Sequence, residues 1–253
     1  MLLEQAAPFI PKGSRVVVIP DGPLHQLNLE TLVVPAQHPH FWVEDAEVVI
    51  APSRALAPFS IGPVTGTRML LVGAREDMKG IPSRLPNLHT VELEGAKATA
   101  HAYLTSQPDQ FALIHFAAQA VPVRENPLES AVLLRPSRED LGPGLDAKEI
   151  LKMPIHADLV TVAGCPVPGG SIHVGEGLTG LAWAFLDAVA KDVIGALWDC
   201  DAQATSDIVS ELYTGIGSGA DPVTSLRQAK LKVIKQYPKP YDWGSLQIYS
   251  SAK

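Results

Sequence analysis

The strongest constraint on this chain is a set of short apolar runs rich in β-branched residues, separated by segments with helical spacing. Three runs are mostly apolar from end to end: 111–118 (FALIHFAA), 157–163 (ADLVTVA) and 192–198 (DVIGALW). A strand with one wet face alternates apolar and polar residues, whereas a strand apolar throughout needs cover on both faces. Shorter runs at 16–19, 47–51, 69–72 and 131–134 also read as strands, and the tail 243–250 adds one more. Helices are expected over the alanine-rich stretch 94–105, over 146–153 with Asp146 as N-cap, over 177–190, and near 202–215 and 222–236. In the last of these Val223, Leu226, Ala229 and Val233 recur at helical spacing, and the stem of Lys230 is expected to cover apolar surface beside them. Residues 27–32 alternate and fit a hairpin arm or a helix start, while 35–42 and the polar stretch from 73 to 86 read as loop. Strands covered on both faces and alternating with helices imply an α/β sandwich with a mainly parallel sheet.

A chain of 253 residues with 46% hydrophobic content can bury roughly 70% or more of its unfolded surface, so it needs no disulfide framework or structural metal. A net charge of -7 leaves no electrostatic footprint for nucleic acid. The N-terminus lacks the basic and apolar segments of a signal peptide, and no window approaches the ~18 apolar residues of a membrane span. The two cysteines fit free thiols in a reducing compartment, and a cytoplasmic location is expected. No linker composition interrupts the chain. One domain over 1–253 is expected, with 1–65 as a candidate N-terminal lobe of the same sheet.

In parallel sheets the chemistry gathers at the carboxyl ends of the strands. That rule selects Pro20-Asp21-Gly22, the stretch 119–124 and the stretch 164–170. Cys165 follows a buried strand and opens a Pro-Gly loop, where it is either a nucleophile near free backbone N–H groups or a structural thiol beside a tight turn. A nucleophilic thiol needs a base. Of eight histidines, His115 lies inside a strand and reads as structural, and His156 sits at the far end of the strand leading to Cys165. His173 follows Cys165 in the same loop and can fold back toward it. His38 and His40 fit a surface loop. No four-ligand metal spacing appears, and Glu176, between Gly175 and Gly177, lacks the lysine of a phosphate loop. Asp199 and Asp201 either cap the next helix or offer a carboxylate to a basic group. Arg124, Glu125 and Ser130 read as exposed loop residues.

These landmarks, in this order, resemble the CHAT domain, a caspase-like domain related to separases and caspases. Pro20-Asp21-Gly22 followed by Asn28-Leu29-Glu30-Thr31-Leu32 is similar to the family's PDG turn and PFEAL-like stretch, and Ala51-Pro52-Ser53 to its APS. The segment 115–120 (HFAAQA) falls where the family writes HFATHG, and Cys165 where it writes SACETG. Gly175-Glu176-Gly177-Leu178, Ala184-Phe185-Leu186, Leu197-Trp198, Asp201, Ala204-Thr205, Leu212-Tyr213, Leu226-Arg227-Gln228-Ala229 and Trp243 continue the series. The resemblance implies a three-layer caspase-like sandwich and a histidine–cysteine peptidase site with no cofactor or metal. Its pocket would be formed near Gly164, Glu176 and Asp201.

The sequence departs from the family at the base. Gln119 stands where the second histidine is expected, and Ala120 replaces the following glycine. An amide cannot take a proton near neutral pH. His115, at the family's first histidine, is about 13 Å away by strand rise. Pro166 also removes a backbone donor beside Cys165. The resemblance thus implies a member that has lost peptidase activity and acts as an interaction or regulatory module beside other proteins, helical-repeat proteins among them, with no nucleic acid or membrane partner. The alternative is an active cysteine endopeptidase with a rearranged base such as His173.

Overall fold

The computed structural model describes residues 6–51, 61–121, 123, 126–139, 142, 144–164, 177–198 and 201–251. In chain order the strands are β1 (Arg15–Val18), β2 (Val33–Val34), β3 (His40–Phe41), β4 (Glu47–Ile50), β5 (Arg68–Gly73), β6 (His89–Glu94), β7 (Leu113–Val121), β8 (Ala131–Leu133), β9 (Gly144–Asp146), β10 (Leu159–Gly164), β11 (Asp192–Ala196) and β12 (Leu246–Ser250). The helices are α1 (Arg75–Met78), α2 (Ile81–Arg84), α3 (Ala100–Thr105), α4 (Ala147–Ile150), α5 (Gly177–Asp187), α6 (Ala202–Gly217), α7 (Pro222–Val233) and α8 (Pro240–Trp243).

The main sheet runs β1-β4-β12-β11-β10-β7-β5-β6, with β8 paired to the last residues of β7 and β9 paired to β8. Helices cover both faces. Tyr103 of α3, Ile150 of α4 and Phe185 of α5 pack with Phe116 and Val160 on one face. Ile81 of α2, the apolar stripes of α6 and α7, and Trp243 of α8 pack with Leu71, Leu113 and Ile194 on the other. This is the three-layer, mainly parallel sandwich that the two-sided apolar strands call for. The helix starts are set by side-chain caps. Asp146 and Glu149 form a reciprocal capping box on α4, and Asp221 accepts from the Val223 and Thr224 amides at the start of α7.

The strand directions revise the sequence reading. β6, β5, β7, β10 and β11 run parallel, but β12 pairs antiparallel with β11 and parallel with β4, which is parallel with β1. β1, β4 and β12 therefore run opposite to the central strands. The Pro20-Asp21-Gly22 turn after β1 lies at the opposite edge of the sheet from the ends of β7 and β10. Of the three places selected by the strand-end rule, it does not share an edge with the other two. The same pairing ties β1 and β4 into the main sheet through the last strand.

Other local expectations also change. Residues 40–41 form β3 against β2 rather than loop, and Trp42–Glu44 is a 3-10 turn. The polar stretch after β5 holds α1 and α2. The expected helix over 94–105 shrinks to α3, because Glu94 ends edge strand β6, Gly95–Lys97 forms a 3-10 turn, and the Thr99 side chain caps the helix by accepting the Ala102 N–H. Ser130 is fully buried and accepts the Val123 N–H at 3.0 Å, so it is not an exposed loop residue.

Lys230 does not cover surface. It is fully buried, its ammonium paired with Glu30 and 2.6 Å from the Leu246 carbonyl. Asn28 caps the 3-10 turn Leu29–Thr31 and donates to Glu30 Oε2 at 3.2 Å and to the Gly244 carbonyl at 2.8 Å. The Asn28–Thr31 segment is thus bound to α7 and to the start of β12 by a closed polar cluster.

Candidate functional site

β7 and β10 lie side by side in the centre of the sheet. They pair residue for residue from Leu159↔Leu113 to Val162↔Phe116, and then the register slips, so that Gly164 pairs with Gln119. Two steps along β10 face three along β7, which is a β-bulge. Gly164 is the residue that lets the strands close over it. A Cβ there would sit 2.0 Å from the Ala118 carbonyl carbon and 2.5 Å from the Gln119 nitrogen. The bulge brings position 119 beside the residue that precedes Cys165. Ala118 and Ala120 pack on the α5 side of the sheet. Strand alternation therefore turns Gln119 to the α6 side, the face shared by His115 and Ala117.

His115 is buried deep on that face. Its Nδ1 lies 3.1 Å from the Tyr213 hydroxyl, which in turn lies 3.2 Å from Thr161 Oγ1. In the neutral ring one nitrogen donates and the other accepts, and which of them faces the tyrosine as donor follows from the tautomer. The two rings meet edge to face at 5.6 Å. Burial pushes the His115 pKa down to about 3, so the ring is neutral near pH 7. His115 is thus tied to α6 from within the sheet.

A small pocket of about 100 Å³ opens between the ends of β7 and β10 and the first two turns of α6. His115, Ala117, Ala163, Gly164, Thr205 and Ser206 contribute to its lining. Thr205 is buried, and its hydroxyl has no partner among the described residues. Asp201 stands at the N-cap of α6, exposed, where its carboxylate accepts the Ala204 N–H at 2.8 Å. Its charge is therefore at the helix start, one residue from the pocket wall at Ala202.

The structure pairs Gln119 with Gly164, and brings His115 and Gly164 together with the first turns of α6. Cys165, His173, Glu176, Arg124, Glu125, Asp199 and Cys200 lie outside the described residues. His156 is exposed before β10, at the end of that strand away from Gly164. His40 is bound to Asp45 at 2.6 Å, and that hydrogen bond raises its pKa. Among the described residues, no cluster of three His, Cys, Asp or Glu side chains is arranged to hold a metal ion. No described helix is long and apolar enough to cross a membrane.

Sequence reasoning missed the parts played by Thr161, Thr205 and Tyr213. A signal for the last two was present: Thr205, Val209 and Tyr213 are spaced four apart, which places two polar side chains on the apolar stripe of α6.

The sequence profile of the CHAT domain matches residues 1–251. Among curated proteins nothing matches at a significant level. Among solved structures, the chain is similar to separase in the Saccharomyces cerevisiae separase–securin complex, with 14% identity, a TM-score of 0.50 and 81% of this chain covered. It is also similar to the Arg-specific cysteine proteinase gingipain R, with 8% identity, a TM-score of 0.55 and 83% of this chain covered. The chain spans 14% of the separase chain and 55% of the gingipain chain. At these identities the likeness is one of fold.

Proposed function

The chain belongs to the CHAT domain family, and from that premise we propose that this member has lost peptidase activity and serves as a protein-interaction or regulatory module. The observation that supports the reading is the pairing of Gly164, the residue before Cys165, with position 119, where the sequence carries a glutamine. A glutamine there can orient a carbonyl or a water, but it cannot remove a thiol proton. His115 offers no replacement, because its Nδ1 is engaged with Tyr213 and burial keeps the ring a very weak base. Pro166 further reduces the backbone donors available beside Cys165. A fold kept intact around a site without its base is suited to holding partners; the structure of separase with securin is one caspase-like relative bound to another protein.

The test is turnover of a diverse peptide library by the purified chain, with the alkylation rate of Cys165 measured alongside. No cleavage, and alkylation no faster than that of free cysteine, are the expected results. Cleavage abolished by Cys165→Ala would overturn the proposal and favour an active peptidase, and loss of that cleavage in His173→Ala would identify the rearranged base.

A further inference from the structure

The pocket between β7, β10 and α6 has a chemistry of its own. Two of its polar groups are buried and have hydrogen-bonding capacity to spare. His115 is 1% exposed, and its Nδ1 is engaged with the Tyr213 hydroxyl, which leaves Nε2 to donate or accept with no hydrogen bond to a described residue. Thr205 is 3% exposed, and its hydroxyl is likewise unpartnered among the described residues. Native proteins rarely leave such groups unsatisfied, so each one calls for an explanation. Apart from Ser206, the rest of the described lining is small or apolar: Ala117, Ala163, Gly164, Ala202 and Val209.

We propose that this pocket binds a small uncharged group that can both donate and accept hydrogen bonds, a primary amide or a hydroxyl. His115 Nε2 and the Thr205 hydroxyl would each bond it. Size and charge narrow the class. A volume of about 100 Å³ exceeds a single water but is smaller than the ~150 Å³ cavity that accepts benzene. No cation lines the described wall to receive a carboxylate, and no carboxylate lines it to receive an ammonium or guanidinium. Desolvating an unpaired charge in such a place is strongly unfavourable. His115 stays neutral across the physiological range and so adds no charge preference. In the proposed interaction module, on which this assignment of the occupant rests, the group would be an Asn, Ser or Thr side chain of the partner.

The probe is acetamide, titrated into the full chain and followed by amide NMR, with acetate and methylammonium as charged controls. Acetamide is expected to shift the amides of Ala163, Gly164, Thr205 and Ser206 saturably, and the charged controls are not. Thr205→Val should weaken acetamide binding roughly tenfold, the effect of one buried hydrogen bond, with no loss of folding. If that variant does not fold, Thr205→Ser should retain binding and Thr205→Ala should lose it. Absence of a saturable shift, equal binding of acetate or methylammonium, or unchanged affinity in the hydroxyl-free variant would each overturn the assignment. Peptide turnover is read separately. A failed acetamide titration with no turnover removes only the pocket assignment, whereas turnover dependent on Cys165 removes the functional proposal whatever acetamide does.

Discussion

Lys230→Met is the sharpest probe of how this fold is held together. In the wild type the Lys230 ammonium is fully buried and donates to Glu30 and to the Leu246 carbonyl. Truncating it to an apolar chain of similar length leaves the Glu30 carboxylate 4% exposed, with one long hydrogen bond of 3.2 Å from Asn28. Breaking a buried pair on one side destabilises by about 3–5 kcal/mol, most of it from the charge left behind. The Leu246 carbonyl, left with a 3.4 Å hydrogen bond from Asn28, adds up to about 1 kcal/mol. For a chain of this length that is a fall in Tm on the order of 10 °C. Glu30→Met alone should be similarly damaging, because the ammonium is then stranded. The double variant removes both charges, and two apolar side chains of matching volume are expected to bring stability back to within about 2 kcal/mol of wild type. Chemical denaturation of all four proteins gives the cycle directly. The reasoning is refuted if Lys230→Met lies within about 1 kcal/mol of wild type, or if the double variant is as unstable as the worse single.

Two further perturbations test the sheet. Asp192, buried at the start of β11 where it accepts from the Ser250 hydroxyl, has its pKa pushed up by burial to about 7 from 3.8, so folding takes up a proton between those values and stability falls as pH rises from about 4 to about 7. Asp192→Asn should flatten that slope, removing a difference on the order of 4 kcal/mol across the window; equal slopes in the two proteins by denaturation at stepped pH would contradict it. Gly164→Ala forces a Cβ into the Ala118–Gln119 backbone and should destabilise by about 1–3 kcal/mol or more while shifting the Gln119 amide resonance; a variant with wild-type Tm and spectrum would show that the bulge is not held by that contact.

Much of the architecture is readable along the chain because burial on both faces writes itself into sequence. The runs that become β7, β10 and β11 are apolar regardless of what packs on them, and α6 and α7 carry the stripe that a one-sided helix needs. Asp146 marks the start of α4 because a cap acts within a single turn. The edge strand β6 escaped for the converse reason. HTVELE has one wet edge and polar side chains, and only the ladder from β5 makes it a strand. That position 119 carries a glutamine was legible as a residue identity. Its pairing with Gly164 was not, since it depends on a register slip between strands some forty residues apart.

By itself the sequence determined the class of fold, the family, and the absence of a titratable base at position 119. These follow from local residue identity and spacing. Tertiary structure alone decided the reversed direction of β1, β4 and β12, the burial of Lys230 against Glu30, and the relay from His115 through Tyr213 to Thr161. Each of these joins residues far apart in the chain. A strand's direction, an ion pair's burial and a buried histidine's hydrogen bond depend on which distant partner arrives, and no local pattern records that choice.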